Sequence, residues 1–318
     1  MGMCNGLFYI GVNINILSIL SCVNIFDVDS IFLLYMYINI RIRYWKGLLC
    51  SKKIPDTVLF GAPIGEFAAE GVKMTPVEPM KKWAISYKGP MYQNDPSKIV
   101  EVEFNGEWTA TSKYFDYDCD LHAPAVIRSI AREKWNFLLI AHQSHYEQFG
   151  ALKCNFKIDN ESFEYTLPSF RDHSFGKKER TYSIYIKYLH KVLKVFCILP
   201  KFFEVGVVGL PNGEVLPVKW VDLKLYQHGE GGTAPRDYAF RMEAGDQVYN
   251  VQVLVEYESV HYVSQDWDAK MVERFCKFIV NGTPGRGVSE FHYRHTGGRP
   301  ETVAKNDPEW FRKMCHKI

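Results

Sequence analysis

Tyr249-Asn250-Val251-Gln252-Val253-Leu254-Val255-Glu256-Tyr257 repeats with a period of two. Successive side chains of a strand point to opposite faces, so Tyr249, Val251, Val253, Val255 and Tyr257 form one apolar face. Such a strand suits an antiparallel sheet with one side on a core. The pattern returns at Trp83, Ile85 and Tyr87 and at Val100, Val102 and Phe104; further strands are predicted at 137–141, 152–158 and 163–167. Asn105-Gly106 offers the positive φ values of a type I′ hairpin turn, with Trp108 and Ala110 beginning the return strand. Pro211-Asn212-Gly213 marks another turn, between 203–210 and 214–225, and Asn281-Gly282 follows Cys276, Phe278 and Val280. Short helices are expected at 124–135 and after Asp307-Pro308. Many short strands with tight turns predict an all-β, mainly antiparallel fold of the barrel or sandwich type.

At 318 residues the chain is long enough for about two domains of roughly 150 residues each. Hydrophobic residues at 47% and charged residues at 23% exclude a wholly disordered protein. A net charge of +2 argues against a nucleic-acid binder, whose phosphate contacts need a basic excess. The eight cysteines include no C-x-x-C pair, so they read as mostly buried free thiols rather than a zinc or redox site.

Residues 1–26 carry no charged side chain, and 7–26 is long enough to cross a bilayer as a helix of the usual ~20 residues. Arg41, Arg43, Lys46, Lys52 and Lys53 follow, which would hold the rest of the chain in the cytoplasm. Against a span, Asn5, Asn13, Asn15 and Asn24 punctuate the run and no basic residue precedes it. Two expectations therefore stand: a membrane anchor with cytoplasmic β domains, or a stretch foreign to the domain behind it on a cytoplasmic protein. The division expected is a hydrophobic segment 1–54, a first β domain 55–180, an atypical connector 181–202, a second β domain 203–297 and a tail 298–318.

No cofactor is predicted. The run Gly229-Glu230-Gly231-Gly232-Thr233-Ala234-Pro235 lacks the Lys-Ser/Thr of a phosphate loop, and there is no G-x-S-x-G elbow. His142, His145 and Glu147 are metal-ligand types, but on a strand His142 and His145 face opposite ways, so no metal site is expected. In Arg171-Asp172-His173, an Asp beside a His could orient an imidazole for acid–base work, although strand neighbours also diverge. The expectation is that Arg171, Asp172 and His173 share a polar network with His145 or Glu147 between the two β domains, structural first and ligand-polarising second. Residues 182–203, with Lys187, His190, Lys191 and Lys194 among apolar residues, read as a partly buried connector or a basic amphipathic helix.

The strings His145-Tyr146-Glu147-Gln148-Phe149-Gly150 and Arg171-Asp172-His173-Ser174-Phe175-Gly176, the Gly229-Glu230-Gly231 turn, and Asn281-Gly282 with Gly285, Gly287, Glu290, Tyr293 and Arg294 carry a resemblance. Over about 72–294 the chain resembles a family of animal proteins, some with this region fused ahead of modules related to phosphoenolpyruvate synthase. That region is similar in turn to AttH and hydroxyneurosporene synthase (CrtC-type) proteins. The resemblance implies two lipocalin-like β domains. Residues 1–50 and the stretch after Lys177-Lys178-Glu179-Arg180 depart from the pattern, which implies a first domain short of strands with open edges.

Three functions follow from the resemblance. The first is a binding module for an apolar small molecule, with Arg171, Asp172, His173, His145 and Glu147 as its polar groups. The second is an interaction or substrate-presenting domain for a phosphotransferase partner. The third is a carotenoid-hydratase-type enzyme acting on an apolar alkene. The chain itself carries no ATP-binding or phosphotransfer motif, so it is not expected to phosphorylate anything alone. Binding ranks first, interaction second and catalysis third.

Overall fold

The structure is a computed structural model that describes residues 4–11, 17–26, 31–42, 45–50, 67–69, 71–93, 98–132, 143–176, 183–189, 194–200, 205–223, 233–263, 267, 269–301 and 305. Among these residues the chain forms eighteen strands and one α-helix. Every strand pairing is antiparallel, so the all-β prediction holds.

The first sheet holds ten strands. They are β1 (Cys4–Gly11), β2 (Leu17–Phe26), β3 (Ile31–Ile42), β4 (Trp45–Cys50), β5 (Phe67–Ala69), β6 (Val72–Glu78), β7 (Lys82–Gln93), β8 (Ile99–Asp116), β9 (Gln143–Ile158) and β10 (Glu161–Gly176). Their order is β4-β3-β2-β1-β10-β9-β8-β7-β6-β5. The sheet also curls on itself, because β4 meets β7 over two residue pairs, Leu49 with Gln93 and Cys50 with Tyr92. Helix α1 (Ala123–Arg132) lies between β8 and β9 in the chain. The second sheet is a closed barrel of β11 (Ser183–Leu189), β12 (Lys194–Pro200), β13 (Val205–Gly209), β14 (Val215–Val221), β15 (Asp237–Ala244), β16 (Gln247–Val263), β17 (Ala269–Val280) and β18 (Thr283–Arg294), taken in that order.

Three expectations are corrected. Residues 7–26, weighed as a helical anchor, lie largely in β1 and β2, and no helix among the described residues is long and apolar enough to cross a membrane. Isoleucine-rich runs punctuated by Asn and Ser are poor helix formers and good strand formers, and β1 to β4 fill the sheet that was expected to lack strands. The segment 181–202, expected as a connector, supplies β11 and β12, which close the barrel between β18 and β13. Finally, Asn105-Gly106 is no turn: it lies inside β8, with Ser86 opposite Asn105 and Ile85 opposite Gly106. A Cβ on Gly106 would sit 2.9 Å from side-chain atoms of Leu152 and Phe104, so the glycine is closely packed within the sheet rather than turning the chain. The type I′ geometry occurs instead at Asn281-Gly282, with φ of 47° and 80°, between β17 and β18. The turn at Pro211-Asn212-Gly213 forms as predicted. Residues 137–141 and the expected helix after Asp307 lie outside the described residues.

The two sheets pack outer face to outer face. All five residues of β13 are buried, although a strand on a barrel surface would show alternate residues to water. Val208 points into the barrel core, so Val205, Val207 and Gly209 face outward. The Phe149 ring of β9 covers that side: a Cβ on Gly209 would fall 2.6 Å from it. Arg128 of α1 adds a bond from Nη2 to the Lys219 carbonyl of β14.

Candidate functional site

Register decides what the predicted site residues can reach. Counting outward from the Asp159-Asn160 turn, β9 and β10 pair Gln148 with Arg171, Glu147 with Asp172, Tyr146 with His173 and His145 with Ser174. Directly opposite residues share a face. The network expected as one is therefore divided by the sheet: Arg171 and His173 lie on the inner face, while His145, Glu147 and Asp172 lie on the outer face.

The inner face is apolar and aromatic. Trp83, Trp108, Leu152 and Leu167 form a buried row across β7, β8, β9 and β10. Near the ends of β9 and β10 the row gives way to Arg171, which is only 3% exposed. Its guanidinium lies 4.9 Å from the ring centroids of both Trp83 and Tyr146, a double cation–π arrangement. Nη2 donates to the Tyr146 hydroxyl at 2.6 Å and meets His173 Nδ1 at 3.2 Å, while Nη1 reaches only the Met80 thioether at 3.6 Å. A guanidinium has donors alone, so Nδ1 must accept and His173 is the neutral tautomer protonated at Nε2. Burial, then the charge of Arg171, pushes the His173 pKa down to about 4, which agrees with that tautomer. Its ring stacks on Tyr146 at 4.9 Å, and Tyr146 meets Tyr114 edge-on at 5.9 Å. Tyr114 is 48% exposed, so this chain of rings runs from solvent to the buried cation.

On the outer face, His145 Nε2 lies 3.0 Å from Glu147 Oε1 and 3.3 Å from Asp172 Oδ1. The three donor atoms all fall within 4.8 Å of one another, close enough to share a proton or to take one cation between them. Phe115 lies opposite Glu147, and Tyr117 packs edge-on against His145 at 4.8 Å. Phe149, two residues along the same face, is the side chain that meets Gly209 of the barrel, so the trio borders the seam between the sheets. His142 lies outside the described residues.

Residue types alone placed Asp172 with His145 or Glu147 but missed Tyr146 and Trp83 as the cage of Arg171. For the register, the signal available was the turn itself, since counting out from Asp159-Asn160 pairs Glu147 with Asp172. The barrel repeats the arrangement. Arg274 on β17 is fully buried on the inner face, while Glu273 lies opposite Glu290 on the outer one, with His292 Nε2 3.4 Å from Glu290 Oε2.

A model of a family of unknown function, DUF8627, matches residues 29–293. No curated protein matches the sequence. Among solved structures, an AttH-type protein from Nitrosomonas europaea is 11% identical, with 91% of each chain covered and a TM-score of 0.50. Kievitone hydratase from Nectria haematococca is 14% identical, with 92% of this chain and 89% of that one covered and a TM-score of 0.49. CghA, solved with Sch210972, is 10% identical, with 93% and 89% covered and a TM-score of 0.42. The Nitrosomonas europaea likeness shows the AttH-like fold that the sequence motifs implied. The phosphotransferase fusion expected from the resemblance is not among these findings.

Proposed function

The chain belongs to the family of unknown function DUF8627, and on that premise we propose that it binds an apolar small molecule on the inner face of its first sheet. The observation that carries this reading is the aromatic path from half-exposed Tyr114 through Tyr146 to the Trp83 ring and buried Arg171. Small-molecule sites are typically apolar with a few placed polar groups, and this face has that composition. Arg171 and His173 are its polar groups; His145, Glu147 and Asp172 stand on the other side of the sheet and support the seam.

Nile red, a neutral apolar dye, tests the reading. Binding with a blue-shifted emission is the expected result, and Tyr114→Glu should weaken it about tenfold by putting a charge at the open end. An emission unchanged at micromolar protein would count against it.

A second reading is favoured by the outer trio. Two carboxylates and an imidazole within 4.8 Å can hold one proton between them and deliver it to an alkene carbon, with water adding at the cation and returning a proton. Under this reading Asp172→Asn abolishes hydration of a polyene while the melting temperature stays unchanged. A fall in melting temperature with no turnover in the wild type would assign the trio to structure.

A further inference from the structure

Resting on the binding site proposed above, we infer that the ligand's polar end is a carboxylate seated on Arg171. Arg171 is 3% exposed, yet no carboxylate among the described residues lies within ion-pair distance of it. Arg241 pairs with Asp222 at 3.0 Å and Arg286 pairs with Glu256, while Arg274 of the barrel, buried with no carboxylate partner among the described residues, is held by the Pro235 carbonyl and the Ser289 hydroxyl. A cation taken out of water without a counter-charge is strongly unfavourable. Arg274 is enclosed in a closed core with a backbone carbonyl on its guanidinium, whereas Arg171 has no backbone acceptor among the described residues and stands at the end of a ring path to half-exposed Tyr114, so its counter-charge can arrive with a ligand.

The neighbours of Arg171 do not neutralise it. Tyr146 and His173 offer it neutral acceptors, and Met80 offers a weak sulfur. Asp172 and Glu147, the nearest acids in sequence and register, are turned to the other face and engage His145. Among the described residues, the Oε1 of Gln148, directly opposite Arg171, and the Oγ of Ser169, two residues before it, meet no hydrogen-bond partner on the inner face. Both belong to buried residues. The Ser169 hydroxyl can donate to an anion beside the guanidinium, and Gln148 Oε1 can accept from a ligand hydroxyl or a water carried with it. A planar carboxylate matches the planar fork of a guanidinium, and the ring path from Tyr114 suits an apolar body behind it. The ligand class is thus an amphipathic carboxylic acid, read by charge at the inner end and by aromatic surface along its length.

Displacement of Nile red by dodecanoate and by methyl dodecanoate at pH 8 tests this. The two probes share a tail and differ in charge. The wild type is expected to prefer the acid by about 10- to 100-fold, the worth of one charge-assisted pair. In Arg171→Met that preference should collapse to about one, and Arg171→Lys should keep part of it. Equal displacement by acid and ester in the wild type would overturn the inference while leaving the apolar site standing, and this reading needs no variant to fold. Failure of Nile red itself to bind would overturn the binding reading and this inference with it.

Discussion

Both sheets bury an arginine on the inner face of the hairpin that carries their acid pair, yet they house it differently. In the barrel, Arg274 is fully enclosed. It donates to the Pro235 carbonyl and to Ser289 Oγ, and it lies 4.4 Å from the Phe291 ring centroid and 5.7 Å from that of Tyr238. Tyr238 and Ser289 are bonded to each other at 2.5 Å, and the same burial pushes the Cys276 thiol up to about 12. A closed core of Val253, Phe278, Phe291 and their neighbours surrounds the group. In the first sheet, Arg171 has aromatic faces and neutral acceptors and stands at the end of a path to half-exposed Tyr114. The difference teaches that a buried cation can serve as a plug or as an anchor, according to whether a closed core and a backbone carbonyl enclose it or a path of rings leads from it to solvent.

Replacing each arginine by alanine is the most direct way to break that comparison. Arg274→Ala removes the Pro235 carbonyl's donor and opens a gap beneath two rings in a sealed core. It is expected to lower unfolding free energy by about 3–5 kcal/mol in a urea titration. A loss below about 1 kcal/mol would mean that Arg274 is no plug.

Acid should sharpen the contrast on the side of the first sheet. His173 has a folded pKa of about 4 against 6.5 when unfolded, so between those values the unfolded chain binds more protons. Stability from this group is therefore complete above about pH 6.5 and is lost as pH falls toward 4, by on the order of 3 kcal/mol. His173→Phe, which keeps a ring on Tyr146, should remove that part of the pH dependence. Identical slopes for wild type and variant between pH 6.5 and 4 would show that His173 is not held neutral.

A smaller effect is expected where the two sheets meet. Gly209→Ala puts a Cβ 2.6 Å from the Phe149 ring, and the resulting shift should cost about 1–3 kcal/mol by chemical denaturation. Phe149→Leu should relieve it in the double variant; additive losses would indicate that the contact is not the cause.

The smallest effect should come from Arg171→Ala, at about 1 kcal/mol or less. No ion pair among the described residues is broken, a buried charge is removed, and water can enter from the half-exposed end. A loss equal to that of Arg274→Ala would collapse the distinction between plug and anchor.

Alternation and turn chemistry made the strands legible, but not always their neighbours. Asn105-Gly106 and Asn281-Gly282 are the same dipeptide, yet only the second turns the chain. At the first, Leu152 and Phe104 crowd the glycine from within the sheet, a contact made by residues 46 and two positions away. Likewise 182–203 was read by composition as a connector, and its strand role appears only in pairing with β18 on one side and β13 on the other. In the site, residue types identified Arg171, Asp172, His173, His145 and Glu147 as the polar set, and strand alternation implied that neighbours diverge. Which partners each then met was decided by register.

What the sequence by itself determined is local: which side chains share a face of a strand, where positive φ is tolerated, and that the chain would build antiparallel β structure rather than a nucleotide-binding fold. These follow from backbone geometry over a few residues. Only the tertiary structure decided that β1 to β4 complete the first sheet, that β11 and β12 close the second, and that Arg171 looks inward while Asp172 looks to the seam. Strand neighbours are chosen by hydrogen bonds between segments far apart in the chain, and a shift of one residue in that pairing would exchange the two faces.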